Sequence, residues 1–207
     1  MDQGTYMENI KWILFDVGGV IVQLILKKAE GYTFKSRYFT QKDLEGFFYT
    51  KDYANYMLGL ISHEQFIERY LHKKKMDLSV DELNEIVKED IIPMEGMEPL
   101  IQKLAQKYKI ALATNEGKVL TKFKVEKSGI MQHLSKVVPS YLLREIKPHE
   151  AFFRKTLDVL HAKPEECIFI DDMKENIDGA GKVGIKSILF TSVPQLEADL
   201  TALHLLP

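Results

Sequence analysis

Cysteine is almost missing from this chain: Cys167 stands alone among 207 residues. No intramolecular disulfide can form, which suits a reducing compartment. At the head of an apolar run, that thiol reads as a small core hydrophobe rather than a nucleophile. An excess of one charge sign is also lacking. A formal net charge of -2 leaves no global field to attract a polyanion, and no nucleic-acid partner is expected. The run His72-Lys73-Lys74-Lys75 follows an amphipathic stretch and reads as a solvated helix end, where cations favour the C-terminal dipole. Long hydrophobic runs are missing as well. The longest, Val17 to Leu26, contains two glycines and Gln23 and falls short of a membrane span. The opening Met1-Asp2-Gln3-Gly4-Thr5 carries neither a basic region nor an apolar signal core, so a cytoplasmic setting without a membrane partner is expected.

What is present is an ordinary globular composition, 45% hydrophobic and 28% charged, with no internal repeat and no low-complexity tract. Five short apolar runs read as strands, at residues 11–16, 109–114, 136–140, 167–171 and 186–190. Between them lie amphipathic stretches from Met97 to Tyr108, Val119 to Gly129, Glu150 to Leu160 and Glu175 to Val183. Strands alternating with helices of this length imply βαβ units and a mostly parallel α/β sheet of Rossmann-like type.

Residues 24–92 break the rhythm. They show no convincing strand but three helix-start patterns, Thr40-x-x-Asp43, Ser62-x-x-Gln65 and Ser79-x-x-Glu82. Leu44, Phe47 and Phe48 make one apolar stripe, and Phe66, Ile67, Tyr70 and Leu71 another. The expected organisation is a catalytic core of residues 1–23 and 93–207 with a helical cap at 24–92, re-entered through Ile92-Pro93-Met94-Glu95-Gly96. Helix packing is the expected use of the cap aromatics Phe47, Phe48, Tyr49, Tyr53 and Tyr56. Oligomeric state is not readable, although apolar positions on the cap and from Leu200 to Leu206 offer an interface.

Four features sit at strand ends or helix starts. The run Trp12-Ile13-Leu14-Phe15 delivers Asp16 onto Gly18-Gly19; Ile110-Ala111-Leu112-Ala113 ends on Thr114-Asn115; Lys147 precedes Pro148 at a helix start; and Cys167-Ile168-Phe169-Ile170 ends on Asp171-Asp172. Taken singly, each reads as a turn former or a helix cap. In a parallel sheet, ligands bind at the carboxyl ends of the strands, and all four belong at that edge.

With Asp16, Thr114, Lys147 and Asp171-Asp172 in this order, the chain resembles the haloacid dehalogenase-like hydrolase superfamily, whose members are mostly magnesium-dependent phosphatases. The resemblance implies a Rossmann-like core with the cap inserted after the first strand. It also implies an aspartyl-phosphate formed on Asp16, with a small phosphorylated metabolite as substrate. Magnesium would be held by Asp16, the Gly18 carbonyl and Asp172, with Asp171 also in the metal set or orienting a bound water. Thr114, Asn115 and Lys147 would meet the phosphoryl oxygens. Asn176 would tie the last motif loop together.

Most phosphatases of the superfamily carry a second Asp two residues after the nucleophile, as general acid. Here that position is Gly18. This first motif is similar to the α-D-glucose-1-phosphate phosphatase subgroup, although Gln23 and Ile146 depart from that subgroup's pattern. A substrate with a good leaving group, sugar phosphates foremost, or a replacement acid from His63, Glu64 or Tyr53 would reconcile the gap. The alternatives are a catalytically impaired protein that binds a phosphorylated ligand, and a metal-independent dehalogenase.

Overall fold

A computed structural model of the chain describes residues 9–24, 32–34, 37–39, 44 and 46–206. In chain order, β1 (Trp12–Phe15) and β2 (Val22–Leu24) flank a glycine turn, and β3 (Tyr32–Phe34) pairs with β4 (Arg37–Phe39). Three helices follow, α1 (Lys51–Met57), α2 (His63–Lys74) and α3 (Val80–Glu89), and β5 (Ile91–Pro93) then returns to lie against β2. The remainder runs α4 (Met97–Ala105), β6 (Lys109–Thr114), α5 (Lys118–Ser128), β7 (Leu134–Pro139), a short α6 (Ser140–Leu143) and α7 (Glu150–Leu160). It ends with β8 (Cys167–Asp171), α8 (Lys174–Lys182), β9 (Lys186–Leu189) and α9 (Val193–Ala202).

The main sheet has the order β7-β6-β1-β8-β9, and every pairing in it is parallel. Such a sheet is buried on both faces, and the strand sequences show it with a period of two. Ile13, Phe15, Ile110, Leu112, Ile168 and Ile170 face one apolar layer, which continues into the cap through Phe66 and Ile67. Trp12, Leu14, Ala111, Ala113, Cys167 and Phe169 face the other, against Phe152 and Phe153 of α7. Cys167 is a buried thiol, pushed up to about 12 by burial first and then by Glu166 and Glu165, which suits packing and not nucleophilic attack.

Two helix starts behave as their sequences imply. Ser62 accepts from Gln65 N at 3.2 Å while Gln65 Oε1 accepts from Ser62 N at 2.9 Å. Ser79 and Glu82 form the same reciprocal pair at 3.2 and 2.9 Å, and each such cap contributes about 1 kcal/mol. The third pattern, Thr40-x-x-Asp43, lies outside the described residues.

The expectation of an insertion without strands is corrected: β3 and β4 fall within 24–92, and β5 straddles its end. Each has only three residues, too few for alternation to declare itself in a sequence. The boundaries drawn at 23/24 and 92/93 fall inside the β2–β5 ribbon, where Gln23 faces Ile92 and Leu24 faces Ile91. The chain therefore leaves and re-enters the core through one antiparallel pair. In the C-terminal stretch, Leu200 and Leu205 are buried in the core, and Leu203 and Leu206 are partly buried. Among the described residues, no helix is long and apolar enough to cross a membrane.

Candidate active site

Register places the chemistry. Trp12 lies beside both Lys109 and Cys167, so β1, β6 and β8 end at one level. Asp16 remains in the ladder through its N–H to Ile170 O at 2.9 Å, which sets it next to Asp171. The turn beyond it closes on itself, with Gly19 N donating to Val22 O at 2.8 Å and Ile21 N to Val17 O at 3.0 Å. Gly19 has φ +80, and a Cβ there would overlap the Asp172 carboxylate. Only glycine satisfies both conditions. Thr114 ends β6, two residues past the Leu112 that faces Phe15, and is 2% exposed.

Lys147 joins the groups. Its Nζ lies 2.8 Å from Asp16 Oδ1 and 2.6 Å from Asp171 Oδ2, with the side chain 1% exposed. Burial disfavours the ammonium, but Asp16 and Asp171 outweigh it and hold Lys147 above its ordinary value. Asp171 is fully buried and saturated with donors: Lys147, Asn176 Nδ2 at 2.9 and 3.1 Å, and Met173 N at 2.8 Å. Asn176 thus ties the loop together through this carboxylate. Asp172 keeps access to solvent at the rim of the site, and partial desolvation of its carboxyl group first, then Asp16 and Asp171, push it up to about 6. One ligand atom from each of the three acids falls within 4.8 Å of the others. Three carboxylates against one lysine leave a local excess of two negative charges when all are ionised.

Asn115 has a different use from the expected one. Its Nδ2 donates to Lys147 O at 2.9 Å and its Oδ1 accepts from Lys147 N at 2.8 Å, so both ends of the amide hold the lysine's main chain. It positions Lys147 and is not turned toward a phosphoryl group.

Of the residues considered as replacement acids, His63 is placed elsewhere. Its Nε2 meets Asn84 Oδ1 at 2.7 Å and its ring packs on Tyr56 and Phe123. Glu64 is exposed in the first turn of α2. Tyr53 does approach the core, where its hydroxyl donates to Glu116 at 3.1 Å. Tyr56 follows a turn later, its hydroxyl accepting from Val119 N at 3.0 Å and Leu120 N at 3.2 Å at the start of α5. Phe47 packs edge-on to Phe48 and Tyr70, while Tyr49 is exposed, so most cap aromatics pack helices.

Sequence reasoning missed a second buried ionic group, Glu116 with Lys124, whose Nζ lies 2.6 Å from Glu116 Oε2. A weak signal existed: Lys124 stands four residues after Leu120 and next to Phe123 and Val125 on the buried side of α5.

A family model described as haloacid dehalogenase-like hydrolase matches residues 13–190. Flavin mononucleotide hydrolase 1 of Arabidopsis thaliana is 27% identical over 146 residues, which cover 70% of this chain and 59% of that protein. Pyrophosphatase PpaX of Bacillus cereus (strain G9842) is 24% identical over 185 residues, 86% of this chain and 82% of that protein. The aligned stretch spans less than two thirds of the Arabidopsis protein and of several other curated relatives. Among solved structures, a HAD family enzyme of Bacteroides thetaiotaomicron in complex with magnesium and inorganic phosphate has a TM-score of 0.70. It is 22% identical and covers 89% of this chain and 96% of that one, a likeness of fold. A match that begins in β1 and runs to the far edge of the sheet, on a fold shared with solved members, leaves one conclusion: the chain belongs to the haloacid dehalogenase-like hydrolases.

Proposed function

We propose that the protein is a magnesium-dependent phosphatase acting on a small phosphorylated metabolite through an aspartyl-phosphate on Asp16. The observation that carries this reading is the convergence of Asp16, Lys147, Asp171 and Asp172 at one sheet edge with excess negative charge. A metal-independent dehalogenase has no need of that excess. The donor set fits a hard divalent cation, since all its atoms are carboxylate or carbonyl oxygens. The Asp172 carboxylate also lies in a cradle against Gly19 that any Cβ would fill. Asp16, the Gly18 carbonyl and Asp172 would hold magnesium, with Asp171 braced behind them by Lys147 and Asn176. When bound, the ion offsets the repulsion between a carboxylate nucleophile and a phosphate dianion.

The residues then divide the work. Asp16 attacks phosphorus, and water later releases phosphate from the acyl phosphate, so one difficult step becomes two. Lys147 supplies fixed positive charge beside the attacking carboxylate, and Thr114 a hydroxyl donor at the end of the neighbouring strand. No carboxyl stands at position 18, which supports a preference for good leaving groups, sugar 1-phosphates and acyl phosphates among them, as in the glucose-1-phosphate phosphatase subgroup. Phosphate release from sugar 1-phosphates, sugar 6-phosphates and acetyl phosphate, with magnesium or with chelator, tests the reading. Chelator-sensitive turnover supports it. Silence across the panel from folded protein would move the site to ligand sensing, the role the missing acid leaves open.

Two results are expected here. Gly19→Ala should raise the magnesium concentration needed for half-maximal activity by about 10- to 100-fold, because the methyl displaces Asp172, while turnover at saturating metal falls much less. A magnesium titration of both proteins checks this. The second concerns pH. The proton on Asp172, with a value of about 6, competes with the cation. The half-saturating magnesium concentration should therefore stay level above pH 7 and climb by up to about tenfold per unit below pH 6. In the metal-free protein the sign is that of an acid raised by folding. Its contribution to stability is full below the ordinary value of 3.8 and fades as pH rises through about 6. Calorimetric titration from pH 5 to 8 measures both.

A further inference from the structure

We propose that Lys124, held by Glu116, whose carboxylate Tyr53 in turn anchors, is a catalytic residue that donates a hydrogen bond to the leaving-group oxygen as phosphorus passes to Asp16; this rests on the phosphatase reading above.

The geometry begins at Gly18. A Cβ built there would lie 3.7 Å from Lys124 Nζ, the only heavy atom among the described residues within 4 Å of it apart from the flanking chain. The space that a side chain two residues after Asp16 would enter is thus bounded by an ammonium group. That ammonium comes from α5, with 6% of its side chain exposed, and it is held in place from below. The Glu116 carboxylate is fully buried, and it accepts from Lys124 at 2.6 Å, from Gly117 N at 2.9 Å and from the Tyr53 hydroxyl at 3.1 Å. Glu116 N in turn donates to Ser140 Oγ at 2.9 Å. The cluster lies within electrostatic reach of the nucleophile: the Tyr53 phenol is driven well above its ordinary value by burial and Glu116, and the charge of Asp16 adds to the effect.

Two further points favour function over packing. A lysine ammonium carries three donors, and among the described residues Glu116 is the partner found for one of them. A buried ion pair also adds little stability relative to well-packed apolar side chains, so the core does not require one here.

In the first half-reaction an Asp16 oxygen forms a bond to phosphorus while the ester P–O bond breaks, and the electron pair of that bond leaves on the substrate oxygen. Lys124 meets the charge growing there with an N–H, without giving up its proton. The departing oxygen takes its proton from solvent, and the water that later cleaves the acyl phosphate leaves one proton on phosphate and returns the other to solvent, so the cycle balances. Lys124 therefore ends the cycle as it began. A donor of this kind matters in proportion to the charge it meets, so its worth rises with the basicity of the leaving group.

The test is kcat/KM for the wild type, Lys124→Met and the double variant Glu116→Gln/Lys124→Met. The substrates are substituted phenyl phosphates, from dinitrophenyl to unsubstituted phenyl, and an alkyl phosphate. The double variant removes both charges and leaves no buried carboxylate unpaired, which guards against simple misfolding. The expected result is a loss within about threefold on dinitrophenyl phosphate that grows to about 100-fold on the alkyl phosphate, carried by kcat. A uniform loss across the series, or none, in folded protein overturns the inference while leaving the phosphatase reading intact. Wild-type silence on every ester overturns both.

Discussion

Asp16→Asn is expected to abolish phosphate release, by on the order of 10⁴-fold or more, because the amide cannot form the acyl phosphate of the proposed route. The fold should survive the change. Asp16 is one of three acids facing a single lysine, and Lys147 keeps its 2.6 Å contact with Asp171 when Asp16 is neutral. Removing one negative charge from a crowded cluster relieves repulsion, so the thermal midpoint of the metal-free variant should equal or exceed that of the wild type. Phosphate release and thermal unfolding on the same preparation separate the two effects. Retained activity in a clean preparation would refute the assignment of the nucleophile.

Lys147→Met should do the opposite to stability. The lysine is the charge partner of both Asp16 and Asp171, and Asp171 has no access to solvent. Taking the one cation out of a buried ionic cluster leaves Asp171, out of solvent, with only the neutral donors Asn176 Nδ2 and Met173 N, at a cost of about 3–5 kcal/mol. Activity should fall with it. Lys147 has a raised value in the fold, so the stability it contributes is full below the unfolded value and lost only as pH climbs past the folded one. Between pH 5 and 8 the wild-type contribution is constant. The variant behaves differently, since its stranded acids are relieved by protonation and part of the lost stability should return as pH falls from 7 to 5. Urea unfolding at both pH values measures this. An equal deficit at the two would show that lost packing, and not unpaired charge, is responsible.

The parallel core was legible because its strands are buried on both faces and its helices carry long amphipathic periods. Strands read at 109–114 and 167–171 coincide with β6 and β8, and the others differ by a residue or two at their ends. The ribbon and hairpin strands were not legible, since three residues such as Ile91-Ile92-Pro93 have no period to read. The placement of Asp16, Thr114, Asp171 and Asp172 at one edge followed from strand ends, which a parallel sheet brings together wherever they lie in the chain, and that of Lys147 from its position just before a helix start. The role of Asn115 did not follow. Its partner is a backbone 32 residues away, and only the loop's path decides that the amide meets Lys147 and not a ligand. Lys124 was hidden for a related reason: a lysine eight residues after a glutamate looks like surface until α5 turns it inward against Glu116 in the preceding turn.

The cap is fastened to the core from its own side. The Tyr56 ring occupies the place where Gly117 would carry a Cβ, and its hydroxyl gathers the first free N–H groups of α5. Those amides begin the helix just after Asn115, the residue that grips Lys147. The turn that carries Gly117 thus joins the helix start held by Tyr56 to the residue that positions Lys147. Any passage that requires the cap to lift must first draw a phenol out of a helix end. A single tyrosine is thus the pin that joins α1 to the helix start beside Asn115.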